Sequence, residues 1–529
     1  MWSIGVRFDQ EFLEELERSV IQIHSQEAWN EGWISVKGII RYDGERMEQK
    51  ALSRLRQLSK RLEPVNLLER ARTYALTDGR LNFHLEEDFD EESASDQWKR
   101  VRDTTRQIGV AVAQDEAVFR ELLPELVSNY HDRLSVFGEG LADGCEDRKS
   151  MWQTLYEQIE KTPPEKLRIA VMLGFLSSCA INDPDLYHSI LNSLIKDELL
   201  GQWFPYFQMT SNIDKQGVER LHKALDEGNV YIYSFERLAW GRRHESIDDD
   251  DLAALMQKLL AKEGGVRVII KILNMRFHKE KGETTTDSQN LFEVSRNVLL
   301  QYAYEEKSNR NDHADYELAQ IAAVSLYGQE GIQSANELYQ YLAKGFQEHQ
   351  IYSFSYPRLL ERLAQVQPYI FLDAFIGGDE YIFRRRTFGD FEREGSPVNQ
   401  IPKKIIIDWC ERKPTVRYPL IVSSMQMYAK AKDSEELQWQ PILFTIFKKS
   451  PNLQTVLSQL EKEIYPMGWT GSRADIMAKR FALFTDLQEH PNSEVRDWAV
   501  VQHQKLELAV KVEREHELKE NRERFERFE

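Results

Sequence analysis

Apolar residues recur at helical spacing along most of the chain, and the pattern is clearest between residues 217 and 278. One stripe there consists of Leu252, Leu255, Met256, Leu259 and Leu260. These positions are three or four residues apart, as on one face of an amphipathic helix. Carboxylates at 248–251 suit the start of that helix, where the dipole favours negative charge. Gly264 and Gly265 suit its end, because glycine enters a left-handed turn without steric cost.

Three further stripes in this block lie at 218–225, 231–240 and 266–277, and the second is rich in aromatic residues. Four short amphipathic helices with tight connections cannot each bury an apolar face alone, so they must stack on one another. The sequence therefore predicts an all-α protein: an elongated α-solenoid of degenerate helix-pair repeats, similar in size to HEAT or TPR units.

Breaks in the pattern divide the chain into four parts. Residues 1–62 form an N-terminal helical segment with a short strand as an alternative at 33–42, where Ile34, Val36 and Ile40 share a period-two face. Residues 63–388 form the main repeat array. Residues 389–402, with two prolines and two glycines, form a linker. Residues 403–529 form a C-terminal helical block, helical through 414–431, that ends in a charged helix from about Ser493.

Charge and composition limit the kinds of partner that the chain is expected to bind and the cellular compartment in which it is expected to lie. The 69 basic and 87 acidic residues give a net charge of −18, which argues against general affinity for nucleic-acid phosphates. The sequence has neither an apolar run long enough to span a membrane nor a signal-peptide pattern at its start. Its three cysteines, Cys145, Cys179 and Cys410, are far apart and odd in number, so a disulfide framework is not expected. These features predict a cytoplasmic protein.

A search for catalytic motifs finds no phosphate-binding loop, dinucleotide fingerprint, zinc signature or nucleophile elbow. The sequence therefore predicts no cofactor, no metal site and no catalytic residue. An enzyme hidden in a helical fold stays open as an alternative, either a nuclease or a hydrolase that uses Cys145 or Cys410 with a distant histidine. The acidic stretch 86–97 has enough carboxylates to bind a divalent cation, but a solvated loop is favoured because the ligand spacing of a calcium loop is absent.

Three clusters combine arginine with aromatic residues and are the candidate partner-binding residues. They are Arg384, Arg385 and Arg386; Trp240, Arg242 and Arg243; and Trp469 with Arg473. Such clusters suit a protein interface, where Trp, Tyr and Arg dominate the binding energy. They also suit stacking on nucleic-acid bases, or internal pairing with the surplus carboxylates.

Several short blocks carry a resemblance to a known group of proteins. They include Gly217-Val218-Glu219-Arg220-Leu221, Leu238-Ala239-Trp240-Gly241-Arg242, Asn399-Gln400-Ile401-Pro402, Trp409-Cys410 with Arg417 and Tyr418, and Gly468-Trp469-Thr470-Gly471-Ser472-Arg473-Ala474. These blocks resemble the long C-terminal helical region of bacterial STAND-type NTPases and related multidomain antiphage defence proteins.

The resemblance implies a sensor or interaction role for this chain. In such proteins, the parts that hydrolyse nucleotide and carry out the effector activity lie N-terminal to the helical region. The resemblance also implies either a C-terminal piece of a larger protein or a stand-alone relative that acts with a separate effector. The expected function is thus a non-enzymatic scaffold or sensor that recognises a protein partner, a defence-complex subunit or a phage protein. A nucleic-acid sensor acting through Arg384–Arg386 is the other alternative.

Overall fold

Aspartate side chains cap the starts of several of the short helices into which the chain is divided. In the computed structural model, Asp115, Asp147, Asp183 and Asp214 each accept a hydrogen bond from the backbone N–H three residues later. This bond satisfies an amide that the first turn of a helix otherwise leaves unpaired. The structure describes residues 10–26, 30–77, 94–278, 288–305, 312–348, 350–377, 396–431, 436–466 and 469–528.

The chain divides into two compact units, Met1–Ile247 (unit 1) and Asp248–Glu529 (unit 2). The α-helices described in unit 1 are α1 Gln10–Gln26, α2 Asn30–Asp43, α3 Gln49–Leu62, α4 Leu67–Ala75, α5 Ala94–Ala113, α6 Glu116–Leu126, α7 Leu134–Gly144, α8 Arg148–Lys161, α9 Ala170–Asn182, α10 Pro184–Leu194, α11 Phe204–Gln208 and α12 Lys215–Glu227. Short 3-10 turns lie at Gly44–Arg46, Pro164–Lys166, Gly201–Trp203, Ile232–Leu238 and Trp240–Ser246.

Unit 2 is also helical, with one short hairpin among its described residues. Its elements are α13 Asp249–Leu260, α14 Gly265–Phe277, α15 Gln289–Glu305, α16 Asp312–Ser325, α17 Ile332–Gln347, α18 Pro357–Val366, α19 Pro368–Phe371, α20 Lys403–Glu411, α21 Pro414–Val422, β1 Tyr428–Lys430, β2 Leu437–Trp439, α22 Pro441–Lys449, α23 Leu453–Ile464, α24 Arg473–Gln488 and α25 Ser493–Phe528. A π-helical turn at Leu372–Ile376 follows α19, and 3-10 turns lie at Ser353–Ser355 and Pro397–Gln400. The prediction of an all-α protein is confirmed at this level.

Within each unit, many helices contact the helix two places further along the chain. In unit 1, α2 contacts α4, α4 contacts α6 and α6 contacts α8, while α5, α7, α9 and α11 form a second such series. In unit 2, the series are α13, α15, α17 and α19; α14, α16 and α18; and α21, α23 and α25. Consecutive helices of the chain are in contact as well, as in α4 with α5 and α15 with α16.

Backbone-to-backbone packing holds α7 between α5 and α9. A Cβ added at Gly174 of α9 would lie 1.7 Å from the carbonyl oxygen of Ser135 on α7, and one added at Gly138 would lie 2.0 Å from that of Val171. On the other side, a Cβ at Gly140 would lie 2.1 Å from the carbonyl oxygen of Arg106 on α5. Only glycine allows the helices to approach this closely, so the contact is rigid.

Three sequence-based predictions are corrected by the structure. Residues 33–42 belong to helix α2 and not to a strand, because Trp33 and Val36, three residues apart, both face the core. The predicted helix at 414–431 ends at Val422, and β1 pairs with β2 in antiparallel register, with Tyr428 opposite Trp439. The hairpin is anchored by the Trp439 indole, which donates to the carbonyl oxygen of Leu483 at 2.7 Å.

The third correction concerns the aromatic segment in the 217–278 block. Three of its four stripes form the α-helices α12, α13 and α14, but the segment 231–246 forms two 3-10 turns. Phe235 and Leu238 are three residues apart and both are buried, which matches the three residues per turn of a 3-10 helix. The turn at Gly264 follows the prediction, with a left-handed φ of 78°.

The charged tail is helical, as predicted, through α25. The predicted boundaries at 62, 388 and 402 stay predictions. Of the described helices, none is both long enough and apolar enough to cross a membrane.

Candidate protein-binding surface

Segment 231–246 presents an exposed aromatic cluster on unit 1. Trp240 is 58% exposed and Tyr231 is 56% exposed, and Tyr233 lies beside Tyr231 with ring centroids 5.4 Å apart. The guanidinium carbon of Arg237 lies 5.0 Å from the centroid of the Trp240 ring, within the range of a cation–π contact. We call Tyr231, Tyr233, Arg237 and Trp240 the aromatic surface.

The backbone of the segment is held firmly under this surface. The Tyr231 N–H donates to the carbonyl oxygen of Gln202 at 3.0 Å, and the N–H of Ile213 donates to the Ser246 hydroxyl at 3.2 Å. Phe235 and Leu238 are fully buried beneath the exposed rings. Because both ends and the middle are anchored, the exposed side chains project from a fixed frame, which lowers the entropy cost of binding.

A left-handed corner follows the exposed tryptophan. Gly241 has a φ of 58° and Arg242 a φ of 56°. Such a conformation is unfavourable for a residue with a side chain, and Arg242 forms an ion pair there between its Nε and the Glu245 carboxylate at 2.5 Å. Arg243 is half-buried in the same turn. The corner therefore turns the chain sharply after Trp240, and Glu245 balances the charge of Arg242 within the same turn.

Two further tyrosines lie close enough to influence the electrostatics of this surface. Burial raises the pKa of Tyr206, and the positive charge of Arg237 partly opposes that rise, with smaller effects from Glu236, Tyr231 and Tyr130. Tyr206 is thus a neutral phenol at physiological pH, and Tyr130 is strongly exposed. In the part of the chain that the structure describes, Arg237 has no ion-pair partner.

The second predicted cluster, Trp469 with Arg473, lies in unit 2 at the start of α24. The Arg473 guanidinium carbon is 4.6 Å from the centroid of the half-exposed Trp469 ring, and its Nη1 pairs with Glu513 at 3.1 Å. Glu517 accepts hydrogen bonds from the Ser472 hydroxyl at 2.7 Å and from the Ala474 N–H at 3.0 Å. Both glutamates lie on α25, so these contacts fasten the turn to the last helix.

Replacing Glu517 by glutamine should lower the stability of unit 2 in a pH-dependent manner. The Ala474 N–H, with help from Ser472, holds the pKa of Glu517 below its ordinary value of 4.5. A depressed pKa contributes stability above the unfolded value, and the contribution is lost as pH falls through the folded value. For so exposed a group, we expect a loss of about 0.5 kcal/mol at neutral pH.

Thermal denaturation from neutral to acidic pH measures this effect, since the contribution of the carboxylate declines as the group is protonated. The wild type and Glu517→Gln should converge at the acidic end. Glu515→Gln, an exposed change on the same helix, is the matched control and should leave the curve unchanged. A difference between wild type and Glu517→Gln that persists unchanged at low pH would show that the carboxylate charge is not responsible.

The third predicted cluster, Arg384, Arg385 and Arg386, lies outside the described residues, as does most of the acidic stretch 86–97.

The protonation state of two cysteines disfavours the alternative of a cysteine hydrolase. Burial raises the pKa of Cys410 to about 12 and also raises that of the half-buried Cys145. Both are therefore thiols at neutral pH, whereas catalysis requires a thiolate. No group of three or more His, Cys, Asp or Glu side chains suited to hold a metal ion occurs among the residues that the structure describes.

The structure places Arg237 over the ring of Trp240, and Arg242 and Arg243 lie in the turn that follows. Trp469 and Arg473 are in contact with each other in unit 2. Sequence reasoning missed the two exposed tyrosines of the aromatic surface, which it assigned to a buried helical stripe. The three-residue spacing of Phe235 and Leu238 was the available signal, because a 3-10 segment on a surface buries every third residue.

Comparisons with known proteins returned no relative. A scan against protein-family models found no match, and neither a search of curated proteins nor a search of solved structures found one.

Proposed function

We propose that this chain is a non-enzymatic helical-repeat protein that binds a protein partner through the aromatic surface. The observation that carries the proposal is the exposed Trp240, with Arg237 over its ring, on an anchored backbone. Trp, Tyr and Arg are the residues that most often dominate protein–protein binding energy. Three exposed aromatic rings grouped on one anchored segment favour a partner, because burying them together against it gains free energy.

The charge of the surface favours a protein over a nucleic acid. Arg237 is the cation of the aromatic surface, and Arg242 beside it is already paired with Glu245. A single cation on a chain of net charge −18 releases few counterions from a phosphate backbone. We infer a partner segment that inserts an apolar side chain beside Trp240 and brings a carboxylate to Arg237.

The repeat architecture is part of the same proposal. Contacts between every second helix, as in the series α5, α7, α9 and α11, are what a stack of helix pairs would produce. Such a stack offers wide surfaces for binding without a catalytic pocket. The free state of the three cysteines agrees with a cytoplasmic setting. A role in antiphage defence, with a defence-complex subunit or phage protein as partner, rests on the family resemblance alone.

Affinity capture from the native cells, followed by mass spectrometry, tests the proposal. The wild-type chain should retain one dominant protein, and Trp240→Ala should weaken its capture at least about tenfold, as expected for a central aromatic contact. Tyr327→Ala, which removes a strongly exposed aromatic ring on unit 2, is the matched control and should retain the partner. Circular dichroism of each variant checks that the fold is intact.

Two results would contradict the proposal. One is a partner captured equally by the wild type and by Trp240→Ala. The other is capture of nucleic acid alone, lost on nuclease treatment and steeply weakened by salt, which would favour the nucleic-acid sensor instead.

A further inference from the structure

An open polar cleft of about 520 Å³ lies on unit 1, and no residue of the aromatic segment 231–246 lines it. Helices α5, α7, α8 and α9 contribute its polar lining: Asp103, Arg106, Gln107, Asp143, Arg148 and Asn182. The volume falls within the range of small-molecule sites, but the lining is polar where most such sites are apolar. A ligand for this cleft would therefore be small and charged.

The walls of the cleft are fixed before any ligand arrives. A Cβ added at Gly144 would lie 2.4 Å from the carbonyl oxygen of Val110, so α7 and α5 are in backbone contact along the cleft floor. Helices packed this closely cannot slide without losing the contact. A fixed cleft loses little conformational entropy when a ligand binds, so even a ligand with few contacts can bind there.

Asp143 is fully engaged within the protein. One of its oxygens accepts from Arg106 Nε at 2.8 Å, and the other accepts from the Ser178 hydroxyl at 2.6 Å and from Asn182 Nδ2 at 3.2 Å. The negative charge of Asp143 is thereby balanced by Arg106, and both side chains serve as part of the wall. Neither is available to pair with a ligand charge at full strength.

Arg148 and Asp103 are the two charged lining residues that the fold does not pair. Among the described residues, neither has an ion-pair or side-chain hydrogen-bond partner, and the Arg148 Nε is shielded from solvent without an acceptor. Other arginines near them are paired, as in Arg102 with Glu139. A shielded guanidinium nitrogen without an acceptor costs free energy that a bound anion would remove.

We propose that this cleft binds a small zwitterionic ligand, with its carboxylate on Arg148 and its ammonium group on Asp103. One unpaired cation and one unpaired anion in the same cleft match a molecule that carries both charges. The Gln107 amide and the amide oxygen of Asn182 also line the cleft and offer further hydrogen bonds to the ligand. A free amino acid or an ω-amino acid has this chemistry.

Isothermal titration calorimetry of the full chain tests the proposal with defined probes. Glycine, β-alanine, 4-aminobutyrate and 6-aminohexanoate sample increasing separations of the two charges, and the standard L-amino acids add side chains. Titration to about 10 mM detects dissociation constants in the millimolar range. At least one probe should bind saturably, and the singly charged propionate and propylamine should bind at least about tenfold more weakly, because each lacks one charge-assisted hydrogen bond.

Two variants locate the site. Arg148→Gln and Asp103→Asn should each weaken binding of the best probe about tenfold or more, since each removes one charged partner. Asp103 is exposed, so its replacement leaves the fold intact if Arg148→Gln proves unstable. Arg120→Gln, an exposed arginine paired with Glu116 on α6 and outside the cleft lining, should bind as the wild type does.

Three results would overturn the proposal: no saturable binding by any zwitterion of the series, equal binding of propionate, or unchanged binding in Asp103→Asn.

Discussion

Gly174→Ala is expected to lower the free energy of unfolding of unit 1 by about 3 kcal/mol or more. This loss is at the upper end of the losses caused by adding a methyl group to a well-packed core. The new Cβ would lie 1.7 Å from the carbonyl oxygen of Ser135, a backbone atom that no rotamer change can move aside. Helices α7 and α9 would have to separate, which opens voids along their whole contact. The loss is large because close packing and van der Waals contact are given up along both helices at once.

Thiol labelling distinguishes local from general unfolding in this variant. Cys179 lies on α9 and Cys410 on α20, and both are fully buried. In Gly174→Ala, Cys179 should react with iodoacetamide under native conditions well before Cys410, which reports on unit 2. Urea denaturation followed by circular dichroism gives the accompanying loss of stability, read as the midpoint of each transition because two units need not unfold together.

A glycine with room for a methyl group provides the control. A Cβ at Gly44 would meet only the Leu52 Cδ1 at 3.4 Å, an ordinary van der Waals distance. Gly44→Ala should therefore leave the urea midpoint and the labelling of Cys179 close to wild type. If Gly174→Ala also behaved as wild type, α7 and α9 would not be in backbone contact in solution.

Asp315→Ala is expected to have the second largest effect, this time on unit 2. The carboxylate of this buried residue on α16 accepts from the backbone N–H groups of Arg358 at 3.0 Å and Leu359 at 2.9 Å. These are first-turn amides of α18, whose own N-cap residue, Tyr356, supplies no side-chain cap. Alanine would leave both amides without an acceptor, that of Leu359 in a buried position, at a cost of about 2–3 kcal/mol.

The graded variant Asp315→Asn tests the same explanation. Its carbonyl oxygen can still accept one of the two hydrogen bonds, so it should lose less stability than Asp315→Ala in thermal denaturation. Asn452→Ala removes an exposed cap, which accepts from the Thr455 N–H at 3.2 Å, and should cost about 1 kcal/mol or less. If Asp315→Ala and Asn452→Ala lowered the stability equally, the burial of the Asp315 cap would contribute nothing to the stability of unit 2.

Local signals in the sequence were enough to predict the helices and many of their ends. The stripe from Leu252 to Leu260 and the carboxylates before it predicted α13, because periodicity and capping act within a few residues. The hairpin of β1 and β2 was missed because its stabilising contact, from Trp439 to the carbonyl oxygen of Leu483, joins residues far apart in the sequence. Segment 33–42 was ambiguous because Ile34, Val36 and Ile40 share the period-two face of a strand, while Gly38 weakens both a strand and a helix assignment.

The candidate surface was predictable only in part. Trp240 and its neighbouring arginines stood out by composition, but composition does not reveal which arginine lies on the ring. The structure selects Arg237 for that position and pairs Arg242 with Glu245. The charged cleft was not foreseen at all, because Asp103 and Arg148 come to line one cleft only after α5, α7, α8 and α9 have packed together.

Several hydrogen bonds between elements of the fold join residues at similar separations along the chain. Arg106 and Asp143 are 37 residues apart, Tyr156 and Asp197 are 41 apart, Leu359 and Asp315 are 44 apart, and Ser472 and Glu517 are 45 apart. A helix emerging from the ribosome therefore meets its partner once the chain has grown by about one helix pair. Contacts of this range favour rapid folding during synthesis, with each new helix adding to an already folded edge.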